Sequence, residues 1–251
     1  MIKSIHSWNY MENIFNLVLR IINRVLRPFR YRVVSISMAQ LLLEALVRKG
    51  SDVKFIQVGA NDGVRFDGLY SIVTSMRWSG LVIEPLPSAF LRLAANYQDH
   101  KNVIPLNIAL HPSADTAALY FVPNDRLSAY PDFVAGTPSF KRDHLIRYGV
   151  NPDDISLTDV KCLPLMQVVN SYHFADADYL QIDTEGFDAE IIKIIDFCTF
   201  KPMAIKFEWD NLSPREQEET VELLVKNDYH VEVNKDQHDC VAWLSHKIKP
   251  A

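Results

Sequence analysis

The chain has 251 residues, of which 48% are hydrophobic, with a formal charge of −5. That length fits one large domain or one domain with an appendage, and the apolar share is enough for a sizeable core. The acidic balance argues against a general nucleic-acid binder, which carries a basic face.

No uninterrupted apolar run approaches the roughly 20 residues that span a bilayer. Residues 14–29 do not make a signal peptide, because Asn16, Arg20, Asn23, Arg24 and Arg27 interrupt them. At about 100° per residue, Asn13, Asn16, Arg20, Asn23, Arg24 and Arg27 share one face and Ile14, Phe15, Val18, Ile21, Ile22, Val25 and Phe29 fill much of the rest. This is a basic amphipathic helix. Two readings stand for a cytoplasmic protein: peripheral contact through residues 11–30 with the anionic inner membrane surface, or packing on its own domain or a dimer partner. Residues 1–37 form this appendage, and residues 38–251 the main domain.

The main domain opens with a helix over 38–50, ended by Lys49 and Gly50. Short apolar strands then alternate with helical patterns. The strands are expected at 54–59, 80–85, 102–110, 178–183 and 203–209, and the helices at 68–77, 87–98, 189–197 and 214–227. Ser213, Pro214 and Glu216 form a capping box for the last helix. Residues 229–234 and 240–245 read as a closing hairpin or two edge strands. This alternation predicts an α/β fold, a mostly parallel sheet with helices on both faces. Residues 111–163 break the rhythm as an insertion, with extra strands near 118–122 and 156–165. The polar, aromatic-rich loop between those strands is expected to be ordered and to face the substrate.

Parallel sheets bind ligands at the carboxyl ends of their strands. Polar groups gather there: Gly59 to Gly63 after the first strand, Glu84 after the second, Asn107 in the third, Asp183 and Glu185 after the fourth, Glu208 at the fifth. The loop Gly59-Ala60-Asn61-Asp62-Gly63 is not a dinucleotide GxGxxG, since Asn61 stands where the second glycine would lie, and it is not a P-loop. It suits a nucleoside without phosphates, with Glu84 placed to take the ribose hydroxyls. S-adenosyl-L-methionine fits, being cationic and free of phosphate. The plain alternative is a tight strand-to-helix turn. The three cysteines, Cys162, Cys198 and Cys240, form no CxxC pair and are expected to be buried, reduced thiols.

The stretches FIQVGANDG, VIEPLPSAFLRLAAN, NIAL, DYLQIDTEGFDAEIIKIIDF and MAIKFEWDNLS, in this order and spacing, resemble the FkbM-type S-adenosylmethionine-dependent methyltransferases. The resemblance covers roughly residues 50–245. It implies a Rossmann-like class I methyltransferase fold of seven strands, the last one reversed, and an O-methyltransferase acting on hydroxyls of sugars or other natural products. Carried over by position, Gly59, Ala60, Asn61, Asp62, Gly63, Glu84, Pro85, Asn107, Ala109 and Asp183 would bind the cofactor. Gln57 departs from the family pattern, standing where many relatives have an acid.

A sugar hydroxyl needs a base, and Asp183, Glu185, Glu208 and His144 are the candidates. Glu185 could instead cap the helix near Phe187, and His144 could be a solvated loop residue. Asp183, Glu185 and Glu208 could also hold a divalent cation, although no metal is assigned. His111, His173, His230, His238 and His246 show no ligand spacing. The acceptor is expected to be a small molecule or glycan, not nucleic acid, and oligomeric state is left open. Two other functions compete. A nicotinamide-dependent oxidoreductase is disfavoured by Asn61, and a non-catalytic scaffold by the intact acids.

Overall fold

The structure is a computed structural model that describes residues 38–65, 68–234 and 238–247. The amphipathic segment 11–30 and the appendage 1–37 lie outside them. Among the described residues, no helix is long and apolar enough to cross a membrane.

Helix α1 (Met38–Arg48) ends where Gly50 takes a positive φ. Two strand–helix units and a third strand follow: β1 (Lys54–Val58), α2 (Leu69–Met76), β2 (Ser79–Ile83), α3 (Pro87–Asn96) and β3 (Val103–Leu106). The later part of the domain holds β7 (Tyr179–Ile182), α6 (Asp188–Lys193), β8 (Ala204–Glu208), α7 (Pro214–Lys226), β9 (His230–Asn234) and β10 (Asp239–Trp243). The sheet order is β3-β2-β1-β7-β8-β10-β9, with β10 antiparallel to both neighbours. This is the Rossmann-like order that the resemblance implies, with the last strand reversed. The closing pair is therefore a hairpin whose second strand is inserted between β8 and β9.

The order reverses between β1 and β7. Right-handed crossovers run from β1 towards β3 through α2 and α3, and from β7 towards β8 through α6, so these helices cover opposite faces. On one face Ile56, Val58, Leu81, Ile83 and Leu180 pack with Ile191 and Ile192 of α6 and Leu224 of α7. Phe55, alternate to Ile56 along the strand, faces the other way and meets Trp78 at 6.5 Å between ring centroids. The α7 capping box forms as its sequence requires: Ser213 accepts from the Glu216 amide and Glu216 accepts from the Ser213 amide.

Several expectations are corrected. The strand expected over 102–110 is two. β3 ends at Leu106, the chain turns at Asn107, and β4 (Ala109–Leu110) leaves to pair with β6 (Ser156–Leu163) of a second sheet ordered β4-β6-β5, where β5 is Thr116–Phe121. The long loop between β5 and β6 contains a helix, α4 (Arg142–Arg147), and helix α5 (Leu165–Ser171) follows β6. The loop is tied down, since Tyr120 and Ser139 exchange two backbone hydrogen bonds of 2.9 and 3.0 Å. Helix α5, absent from the expected elements, makes barely two turns and buries Leu165, Val168 and Val169. Cys198 is exposed, unlike Cys162 and Cys240.

Candidate active site

Strand register builds the site. Val58 pairs with Ile83 and Ile182, Ile83 with Leu106, and Ile182 with Phe207. The next residues are Gly59, Glu84, Asn107, Asp183 and Glu208, so five strands present them as one row at the carboxyl edge. Gly59, Glu84 and Asp183 of this row line a cleft that opens to solvent. Gly59, Asn61, Glu84, Pro85, Ala109, Asp183 and Glu185 line it, together with Ile108, Leu110, Leu119, Phe140 and Phe187. The aliphatic and aromatic residues make one end an apolar slot.

Gly59 has φ +77°, and a Cβ there would lie 1.6 Å from the carbonyl oxygen of Asp183. The glycine is required by the neighbouring strand. Asn61, at φ +48°, turns the chain so that its amide reaches Glu84 Oε2 at 2.8 Å. The Leu86 amide donates to Oε1 at 2.8 Å. Glu84 is thus clamped between two loops. Each of its oxygens keeps a lone-pair site after one amide bond. Burial pushes its carboxyl up to about 7, against the lowering effect of the Leu86 and Asn61 amides.

Four residues assigned to the cofactor support the site from behind. Ala60 is buried and its amide donates to Ile83. The Asp62 carboxylate turns back to accept from the Val64 and Arg65 amides, opening the segment that leads to α2. At Gly63 a Cβ would lie 2.7 Å from Leu93 and 2.8 Å from Tyr97, so this glycine serves helix packing. Asn107 donates to the carbonyls of Glu84 and Pro85 at 2.9 and 3.0 Å, bracing the acidic turn. Gln57 is buried within β1, outside the cleft lining.

The other end of the cleft is acidic. Asp183, Glu185 and Glu208 each offer an oxygen within 4.8 Å of the other two. Asp183 opens into the cleft while lying deep among protein atoms. Burial, and then Glu185, raises it well above the usual carboxylate range. Burial followed by Asp188 pushes Glu185 up to about 8, and burial followed by Glu185 does the same to Glu208. One oxygen of Glu208, Oε2, is buried with no hydrogen-bond partner among the described residues. Three carboxyl groups this close cannot all be charged, so at neutral pH the cluster holds protons. Its oxygens could ligate one divalent cation, which would have to displace those protons.

His144 is not a solvated loop residue. It is 1% exposed, on α4, with Nε2 2.7 Å from Glu185 Oε2. Arg147 lies 3.3 Å from its Nδ1. A guanidinium can only donate, so Nδ1 accepts and Nε2 carries the hydrogen toward Glu185. Burial and the charges of Arg147 and Lys141 lower His144 to about 4, keeping it neutral. Asn211 Nδ2 donates to the same Glu185 oxygen at 3.1 Å. Glu185 does not cap α6. Asp188, the first residue of α6, turns away from the helix to accept from Thr184 and from the Glu208 amide, which locks β7 to β8. Glu185 itself has φ +54°, followed by Gly186 at +96°, and its carbonyl accepts from Ser139 at 2.8 Å. A non-glycine residue held in this region stores strain, as is common at functional sites.

Sequence reasoning did not single out Asp188 or Asn211, although both lie inside quoted motifs. It also missed the apolar slot, whose residues come from distant segments.

The model of the methyltransferase FkbM domain matches residues 57–234. The chain belongs to this family, and it is an S-adenosylmethionine-dependent methyltransferase. Family membership sets the oxidoreductase alternative aside. Among solved structures, the methyltransferase FkbM from Methylobacillus flagellatus KT is similar at 14% identity and a TM-score of 0.47, over 77% of this chain and 44% of that one. The precorrin-6y C5,15-methyltransferase from Geobacter metallireducens GS-15 is similar at 15% identity and a TM-score of 0.39, over 81% of this chain and 85% of that one. No curated protein matches the sequence.

The residues present fit the cofactor. Glu84 has two acceptor sites left for two ribose hydroxyls, the apolar slot beside Ala109 suits a purine, and the acidic end suits a cation.

Proposed function

We propose that the protein methylates a hydroxyl of a sugar, in a glycan, polysaccharide or glycolipid, with Glu185 as the base. The observation that carries the assignment is the occupancy of its two oxygens. His144 and Asn211 both donate to Oε2, while among the described residues no hydrogen bond engages Oε1. Two donors on one oxygen favour the charged form of Glu185, against the burial that pushes its carboxyl up to about 8. Burial makes it a stronger proton acceptor than an ordinary carboxylate, near the value that serves a base at neutral pH.

When bound, S-adenosylmethionine supplies an electrophilic methyl group. Glu84 would hold the ribose, and Gly59 and Asp183 would border the amino-acid part. Glu185 Oε1 would take the proton of the acceptor hydroxyl while Asn211 and His144 hold the carboxylate in place. Positioning supplies much of the remaining rate. Residues 135–140 of the insertion wall the cleft, with Gly136, Pro138 and Phe140 among its lining.

The test is tritiated methyl transfer from S-adenosylmethionine to a panel of glycosides and polysaccharides. Glu185→Gln should lower transfer by about 10²–10⁴-fold, with S-adenosylhomocysteine affinity unchanged. Transfer at the wild-type rate would overturn the assignment of the base.

A further inference from the structure

Two large rings stand open beside the acidic end. Phe133 is 44% exposed and Tyr148 36% exposed. They meet edge to face with centroids 5.5 Å apart. Phe133 belongs to a 3-10 turn (Asp132–Gly136) and Tyr148 follows α4, so both come from the insertion. Tyr148 packs edge-on against His144, with centroids 4.8 Å apart. Its hydroxyl donates to Asn211 Oδ1 at 3.3 Å, and Asn211 in turn donates to Glu185. Only one side chain therefore separates the exposed rings from the base.

We propose that Phe133 and Tyr148 form the acceptor subsite, a shelf for the apolar face of a pyranose ring. This rests on the methyl-transfer reading above and deepens it. Exposed aromatic rings cost hydration unless something covers them. A pyranose offers a face of C–H groups for stacking and a rim of hydroxyls for hydrogen bonds. Tyr148 supplies both a ring and a polar tip, and Asn211 and Glu185 continue the polar edge inward. An anionic acceptor is disfavoured by Asp183, Glu185 and Glu208. A purely aliphatic one would leave the Tyr148 and Asn211 polar groups without partners of its own. A sugar stacked on the shelf has a hydroxyl directed along the Tyr148–Asn211–Glu185 line, towards the base.

The experiment uses the full chain loaded with S-adenosylhomocysteine, with methyl β-D-glucopyranoside, methyl β-D-galactopyranoside and methyl α-D-mannopyranoside as probes and catechol as the flat aromatic control. Saturation-transfer NMR and titration read binding. At least one glycoside should bind the wild type. Phe133→Ala and Tyr148→Ala should each weaken it about tenfold. Tyr148→Phe keeps the ring and should cost about two- to threefold. S-adenosylhomocysteine affinity should stay at the wild-type level throughout, which also reports that the variants are folded. Glycoside binding at wild-type strength in both alanine variants would overturn the shelf and leave sugar methylation standing. Binding of catechol with no glycoside, or of no probe at all, would overturn the pyranose as its occupant. Failure of the wild type to bind S-adenosylhomocysteine would instead bring down the methyl-transfer reading beneath it.

Discussion

The ring nitrogen Nε2 of His144 lies 2.7 Å from Oε2 of Glu185, across 41 residues of sequence. The histidine comes from the insertion and the glutamate from the loop after β7, so one hydrogen bond ties the insertion to the acidic end of the sheet. Ser139 repeats the tie through the Glu185 carbonyl. The insertion thus sets the geometry of the proposed base as well as the wall of the cleft.

Replacing His144 with alanine removes a buried donor and leaves Glu185 Oε2 with Asn211 alone. The expected cost is about 1–3 kcal/mol. Thermal unfolding should show it as a lower Tm, by about 2–4 °C for each kcal/mol in a chain of this size. The rising limb of the pH–rate profile should move to higher pH, because the carboxylate form has lost a stabilising donor. An unchanged limb in a folded variant would show that His144 does not tune Glu185.

Gly59→Ala should be among the most damaging single changes in the sheet. The new Cβ would meet the Asp183 carbonyl at 1.6 Å, on a backbone of φ +77°. Strain and overpacking together should cost about 2–5 kcal/mol, read by denaturant unfolding. Near wild-type stability would mean that β1 and β7 can move apart at their ends.

Stability should fall as pH rises from about 4.5 to 8. An unfolded glutamate titrates near 4.3, while folded Glu84 titrates at about 7 and Glu185 and Glu208 at about 8. Between those values the folded state binds more protons. Each raised group therefore lends stability at low pH that is lost as pH climbs to its folded value, by about 1.4 kcal/mol per unit. His144, lowered to about 4, acts oppositely between about 4 and 6.5, one group against these three and the buried Asp183 and Asp188, which burial also raises. Unfolding at pH 5.5 and pH 8 checks this. Glu208→Gln should flatten part of the slope, and a wild-type curve that rises across the interval would contradict the buried-acid account.

Thiol chemistry should separate the cysteines. Cys198 is exposed, while Cys162 and Cys240 are buried, with thiols raised first by burial. A disulfide reagent should titrate one thiol in the native protein and all three after denaturation. Rapid reaction of a second native thiol would contradict the packing of β6 or β10.

Much of the fold is local and therefore legible in the chain. The apolar runs of β1, β2, β7 and β8 are short and bounded by polar residues, and the α7 cap is written in Ser213, Pro214 and Glu216. The strand-end row could be read because parallel strands of similar length bring their ends into register. What escaped depended on distant partners. Asn107 ends β3 because its side chain braces the Glu84 turn and because β4 finds β6, some 50 residues on. The burial of His144 depends on Glu185 and Arg147, and neither contact leaves a periodic trace in a polar loop. Asp62 and Gly63 sit in the right motif for cofactor contact, yet a backbone turn and helix packing claim them.

The central claim is a nucleoside site organised by Glu84, and calorimetric titration with S-adenosylhomocysteine tests it most directly, wild type beside Glu84→Gln and Glu84→Ala. The wild type should bind. Both variants should lose affinity by about ten- to a hundredfold for each ribose hydrogen bond removed. Glu84→Ala should also lose about 1–3 kcal/mol of stability, since the Asn61 and Leu86 amides lose their acceptor. Binding by either folded variant at the wild-type level would contradict the placement of the ribose on Glu84, and absence of binding to the wild type would contradict the cofactor site itself.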